Sequence, residues 1–509
     1  MKYTTLVCST VLILSCTTDN DDRAPFPESF EWGTGTSAWQ IEGGNATSDW
    51  TQWEDLCVLD ELDGVRSDGE TIADCHKNDD GPDSWNLYGQ DFALANSMGH
   101  TAVRLGIEWA KIEPIQGSFD QSAIAHYRAV LQRARDEGLE PMVTLQHFTL
   151  PTWVHDIISP QESLHGWPGA PGSAIGDAAI IDAFERYSRA MAEELGDLVD
   201  IWVTINEPMS TIFGAYVAGM FPPGENLKLE KAVHCTYNVA YAHAKAYRAI
   251  HQADLIDASG NGEAATVSIA KHWRAFTPDF PDKSGAVESA IRFDHLFNRI
   301  LVNAITRGEI DLNVDQDILD DGEGVRDELK NTLDWMGVNF YGRFMVSDSI
   351  VQICDDTPCG EDEGLMLPLF VQENTDPSRK YSDLEWELYP EGFIDVLNDA
   401  WSYGLPIRIT ENGLADEADL LRPSFMVSHI DELQKAFNQG IDIRGYYHWS
   451  LIDNLEWAEG YTPRFGMVHI DYDSPEKTRT PRESSQAYSD IIEAGGITDA
   501  IVEQWGTLY

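Results

Sequence analysis

Two glutamates stand where a chain can present a pair of reactive carboxyl groups. The apolar run Val199-Asp200-Ile201-Trp202-Val203 leads into Thr204-Ile205-Asn206-Glu207-Pro208, and Ile407-Arg408-Ile409 leads into Thr410-Glu411-Asn412-Gly413. Each glutamate thus closes a strand-like run, and the C-terminal ends of strands are where strand–helix folds gather their chemistry. Two carboxyl groups facing one another suit the cleavage of a glycosidic bond: one acid protonates the leaving oxygen and one carboxylate meets the anomeric carbon. Alone, either glutamate reads as a helix cap or a surface residue. The pairing at two strand ends is what points to this chemistry.

Positioning such a pair requires a scaffold, and short β-rich runs alternate with helical ones from residue 30 onward. Strands are expected at 30–37, 101–106, 140–146, 200–205, 265–271, 335–340, 406–410 and 443–448. Between them lie amphipathic stretches at 84–98, 121–137, 182–195, 231–251, 286–306, 425–437 and 482–492. Eight strands each followed by helical sequence predict an α/β fold of the (β/α)8 TIM-barrel type. A doubly wound sheet would carry a Gly-rich first turn, which is absent. The two glutamates then end the fourth and seventh strands. Long loops at 53–82, 154–178, 308–331 and 347–383 are expected around the barrel mouths, with 308–331 and 347–383 shaping the acceptor side.

Taken together, in this order and at these strand ends, the two motifs resemble the signatures of glycoside hydrolase family 1, the β-glucosidase/β-galactosidase family, in its non-phospho branch. The resemblance covers roughly residues 26 to 495. It implies a retaining, exo-acting β-glycosidase in which Glu411 is the nucleophile and Glu207 the acid/base. Within Thr36-Ser37-Ala38-Trp39-Gln40-Ile41-Glu42-Gly43, Gln40 would hold sugar hydroxyls, and His147 in Gln146-His147-Phe148-Thr149-Leu150-Pro151 would bind the terminal sugar. Asn339 and Tyr341 match the sixth-strand pair, with Tyr341 hydrogen-bonded to the nucleophile, and Asn206 precedes the acid/base. Trp449 would floor the sugar, while Glu456 and Trp457 would grip its hydroxyls. Arg104 matches the second-strand arginine beside the nucleophile. A pyranose has hydroxyls on its rim and C–H faces above and below, so paired donors and acceptors with aromatic plates are what its site requires.

The resemblance implies that Arg104 and Tyr341 keep Glu411 ionised while its charge raises the pKa of Glu207. No metal or organic cofactor is called for. Glu456, Pro463 and Phe465 stand where the phospho-glycosidase branch has serine, lysine and tyrosine, and a carboxylate there would repel a phosphate. Phe148-Thr149 replaces the common Trp-Asp, and Gly106 stands where many members have serine. Glucose is the expected sugar, with galactose or fucose as alternatives. Transfer of the sugar to another alcohol, and an inactive carbohydrate-binding lipoprotein on the same barrel, are the competing functions.

The chain has 86 Asp+Glu against 34 Lys+Arg, a formal net charge of −52, which argues against a nucleic-acid partner. The acids are dispersed, as in a solvated shell. One basic residue, Lys2, precedes the apolar Val11-Leu12-Ile13-Leu14-Ser15-Cys16, which resembles a bacterial lipoprotein leader with Cys16 as the acylated first residue. The expected organisation is therefore a signal peptide over 1–15, an acidic tether over 16–25 and one glycosidase domain over 26–509. Export to the periplasm or cell surface follows, with a lipid anchor as the membrane contact. Cys57/Cys75 and Cys354/Cys359 suit local disulfides, and Cys235 reads as a free core thiol.

Overall fold

The computed structural model describes residues 23–58, 71–353, 365–371, 376 and 378–506. The leader, Cys16, most of the tether and the Cys354/Cys359 pair lie outside the described residues. Eight parallel strands form the core: β1 (Glu31–Gly35), β2 (Ala102–Gly106), β3 (Glu140–Gln146), β4 (Ile201–Asn206), β5 (Thr266–Pro278), β6 (Met336–Ile353), β7 (Ile407–Gly413) and β8 (Ile443–Trp449). Neighbours in sequence are neighbours in space, β8 pairs with β1, and the β6–β7 pairing completes the closure. The barrel therefore has no free edge among these strands.

Most helices form where the sequence places them, because their apolar residues fall on one face. Gln121–Asp136 buries Ala123, Ile124, Tyr127, Val130, Leu131 and Ala134, and Asp120 caps it by accepting from the Ser122 and Ala123 amides at 2.8 and 3.2 Å. Inside the barrel, Ala102, Met142, Ile201, Val203, Ala270, Trp335 and Tyr447 pack as one apolar cluster. Cys57 and Cys75 are joined, with Cα atoms 5.6 Å apart, and Cys235 is a buried free thiol.

Three features depart from the sequence expectation. Strands β5 and β6 run on to Pro278 and Ile353, well past 271 and 340, and remain paired from Ala275↔Arg343 to Pro278↔Val346. Phe293, Ala290 and Val346 bury one another beside this extension, with Phe213 and Phe276 packed on them, which makes the longer pairing worthwhile. The stretch 286–306 is not one helix: Ser284–Phe293 passes through a π-helical segment, Asp294–Arg299, into Ile300–Arg307. Glu391–Trp401 adds a helix before β7 that the periodicity did not signal.

Candidate active site

The C-terminal strand ends surround a cavity of about 650 Å³, within the ordinary size of a small-molecule site. Glu207 and Glu411 both line it. Glu411 sits where the β6–β7 register shifts between Ile409 and Glu411, a bulge that re-aims its side chain. Glu207 follows β4 in the left-handed region, φ 40°, immediately before the helix Pro208–Tyr216. Phe148 (φ 72°) and Trp457 (φ 48°) line the same cavity in the same strained conformation. Their rings pack 4.5 Å apart, and such strain persists only where packing over-determines it.

A continuous polar network joins the two glutamates. Arg104, fully buried, donates from Nη1 to Glu411 Oε1 at 2.5 Å and from Nη2 to Asn206 Oδ1 at 2.6 Å. The Tyr341 hydroxyl donates to Glu411 Oε2 at 2.7 Å. Asn339 Nδ2 donates to Glu207 Oε1 at 2.8 Å and to Asn206 Oδ1 at 3.2 Å, and Thr410 Oγ1 donates back to Asn339 Oδ1 at 2.6 Å. Asn206 Nδ2 donates to His147 Nε2 at 2.9 Å. That bond fixes the tautomer: burial drives the imidazole pKa well below its ordinary value, so His147 is neutral and carries its proton on Nδ1, which has no partner among the described residues.

Beside this network lie the groups expected to grip a sugar. Trp449 and Trp457 flank His147, each ring centroid 5.7 Å from it. Gln40 is held through its amide nitrogen by Asn454 Oδ1 (3.0 Å) and the Leu455 carbonyl (2.7 Å), leaving Oε1 buried without a partner among the described residues. Glu456 Oε2 is likewise without one. Burial, then the charges of Glu411 and Glu207, push the Glu456 pKa up to about 8. Asp453, in the same motif, does not face the cavity. It accepts from Arg482 at 2.8 and 3.0 Å and from the Gly466 amide at 3.0 Å, fastening the loop that carries Glu456 and Trp457.

Several sequence expectations change. Gly106 does not face the cavity: a Cβ there would lie 2.8 Å from the Ala38 nitrogen, so glycine serves close packing of β2 on the first-strand motif. Thr149 is turned away too, donating to Glu108 at 2.9 Å, which leaves Phe148 as the substitution that reaches the cavity. No residue of 308–331 lines it, because that loop precedes β6 and lies at the opposite mouth. The outer wall comes from Phe213–Leu227, the β5 and β6 extensions, and Leu384 with Trp386.

The largest omission was the cationic middle of β5, Lys271-His272-Trp273-Arg274. His272 Nδ1 lies 3.2 Å from Glu207 Oε2 and 2.8 Å from Ser210 Oγ. The signal was available: three basic residues in four positions at the expected strand end, in a chain otherwise dominated by acids. With His272 charged, it reverses the expected order of the carboxyl groups. Burial works to raise Glu207, but the charge and hydrogen bond of His272, with Asn339 and Ser210, outweigh it and hold Glu207 at about 2. Glu411 is pushed up to about 7 by burial, against Arg104 and with the Glu207 charge.

Burial also lowers His272 from its ordinary value, so at neutral pH the charge that depresses Glu207 is gone. The proton that leaves near 7 then belongs to the carboxyl pair, since two buried carboxylates in one site resist joint ionisation. Of the two, Glu411 is the better anion, bound to a guanidinium and a phenol hydroxyl. Glu207, beside a neutral imidazole, is the better proton holder. One acid and one anion, aimed into a cavity with an aromatic floor, can carry out acid-assisted displacement at an acetal carbon.

Residues 22–497 match the family description "Glycosyl hydrolase family 1". The chain is 31% identical to a β-galactosidase of Pyrococcus woesei over 94% of its own length and 99% of that protein. It is 28% identical to β-glucosidase A of Thermotoga maritima, covering 93% and 99% of the two chains. Among solved structures, a β-glycosidase from Pyrococcus horikoshii superposes with a TM-score of 0.76 at 28% identity, over 95% of this chain and 98% of that one.

Proposed function

The chain belongs to glycosyl hydrolase family 1 and is a retaining, exo-acting β-glycosidase, and we propose that the sugar it removes is β-linked glucose, with galactose or fucose as alternatives. The observation that carries the reading is the single network Glu411–Arg104–Asn206–Asn339–Glu207, with Tyr341 on the far oxygen of Glu411.

In the first step a Glu411 oxygen bonds to the anomeric carbon as the bond to the leaving oxygen breaks, and Glu207 gives that oxygen its proton. The glycosyl-enzyme ester removes the Glu411 charge, so the resulting Glu207 anion is unopposed. In the second step Glu207 takes a proton from water, whose oxygen displaces Glu411 from the same face that the leaving group left. Configuration is retained. Trp449 and Trp457 offer plates for the pyranose, and the unpartnered atoms of Gln40, His147 and Glu456 offer two acceptors and one donor to its hydroxyls.

A panel of aryl β-glycosides, assayed with wild type, Glu411→Gly and Glu207→Ala, tests the reading. Wild type is expected to cleave the glucoside, Glu411→Gly to be inert, and Glu207→Ala to lose about 10²–10⁴-fold. An active Glu411→Gly variant, or a wild type inert on every glycoside, overturns it. Export with a lipid anchor at Cys16 belongs to the same proposal, supported by the apolar run before Cys16 and the acidic stretch after it. A Cys16→Ser variant that stayed membrane-bound would count against the anchor.

A further inference from the structure

Arg274 is 5% exposed, lines the cavity, and has no salt bridge or side-chain hydrogen bond among the described residues. Its Nε is fully buried without an acceptor. The guanidinium carbon lies 4.3 Å from the centroid of the Phe344 ring and 5.2 Å from that of Trp386, so two aromatic walls hold it while its polar edge stays unsatisfied. Burial lowers its pKa to about 10, so it stays charged at neutral pH. A buried cation without a counter-ion is costly, and this chain has 86 carboxyl groups from which to supply one.

The backbone is built to hold it there. The β5–β6 register shifts between Trp273 and Ala275, where Tyr341 and Gly342 of β6 stand opposite Arg274 alone, so a β6 bulge faces Arg274. The freed backbone groups are both taken by Asn298 of the π-helical segment: the Arg274 amide donates to Asn298 Oδ1 at 3.1 Å, and Asn298 Nδ2 donates to the Arg274 carbonyl at 2.8 Å. Asn298, in the π-helical segment, thus fixes the Arg274 backbone from both sides of the residue.

Arg274 lies two residues beyond His272, on the same face of β5, and His272 Nδ1 is 3.2 Å from Glu207 Oε2. It therefore belongs to the side from which the leaving oxygen departs. We propose that Arg274 recognises an anionic group, a carboxylate or sulfate, on the leaving group of the substrate. The aromatic walls around it fit a flat apolar body carrying that anion. The inference rests on the glycosidase reading.

The test compares two aryl β-glycosides of the preferred sugar, one with a meta-carboxylate on the phenol ring and one with a meta-carboxamide. Wild type is expected to favour the carboxylate in kcat/KM by about tenfold or more, chiefly through KM, as a charge-assisted contact implies. Arg274→Gln should bring the ratio to about one or below, and Arg274→Lys should restore part of it. The ratio is taken within each enzyme, so partial misfolding or a shift in Glu207 cancels. A wild-type ratio of one, or a ratio unchanged in Arg274→Gln, overturns the proposal and leaves Arg274 as an electrostatic neighbour of Glu207. Failure to cleave either glycoside, with meta-hydroxybenzoate still bound in calorimetry by wild type and not by Arg274→Gln, would instead sink the glycosidase reading and spare this one.

Discussion

Glu456→Gln replaces a carboxyl group by an amide of nearly the same shape, at a position where the free acid has no partner for Oε2 among the described residues. In the folded chain that acid titrates at about 8 instead of 4.5, because of burial first and the Glu411 and Glu207 charges second. With the folded value above the unfolded one, its stability contribution is whole below pH 4.5 and is lost as pH rises to about 8. At 1.36 kcal/mol per unit the loss reaches roughly 5 kcal/mol, and solvent in the open cavity reduces it to about half. Glutamine does not titrate, so the variant should match wild type at pH 5 and exceed it by about 2 kcal/mol, a few degrees in Tm, at pH 9. Differential scanning calorimetry at the two pH values reads this directly. The same variant should bind sugar worse, since an amide nitrogen, which cannot accept from a hydroxyl, replaces one carboxyl oxygen. A Tm difference of equal size at pH 5 and pH 9 would refute the reasoning, because a purely steric effect does not depend on pH.

Tyr341→Phe removes the 2.7 Å hydrogen bond to Glu411, and a bond to a charged group of this kind is worth about 10–100-fold in kcat/KM. Steady-state kinetics on an aryl glycoside checks it. Wild-type activity should fall as pH rises through about 7, where the carboxyl pair loses its shared proton. It should also fall on the acid side as His272 gains a proton, so His272→Gln should carry activity to lower pH, seen as a shifted acid limb in the kcat/KM profile.

The strand ends were legible because their patterns are local: an apolar run followed by Asn-Glu-Pro or Glu-Asn-Gly needs no knowledge of distant chain. Glu411 and Arg104, 307 positions apart, meet because the barrel brings β7 and β2 to one mouth, a contact that the family resemblance implied and no local pattern shows. What escaped were features set by neighbours. Gly106 stands out in the sequence only as a departure from the family pattern and is a packing position, since only the fold reveals Ala38 against it. The fifth strand was cut at residue 271, where polar residues interrupt the apolar run, yet Phe276 and Phe293 sustain its pairing from outside the strand. The contact of His272 with Glu207 escaped for the same reason, because His272 was on no motif.

The extension of β5 and β6 also decides how the enzyme can discriminate. Those residues continue the β5–β6 pairing beyond the barrel, so the side chains that meet a leaving group are carried on paired strands instead of a free loop. Discrimination there rests on the fit of the side chains that those strands carry. New preferences would arise by exchanging side chains at fixed stations such as Phe276 and Phe344. Lengthening or shortening the segment would break the pairing of Ala275–Pro278 with Arg343–Val346.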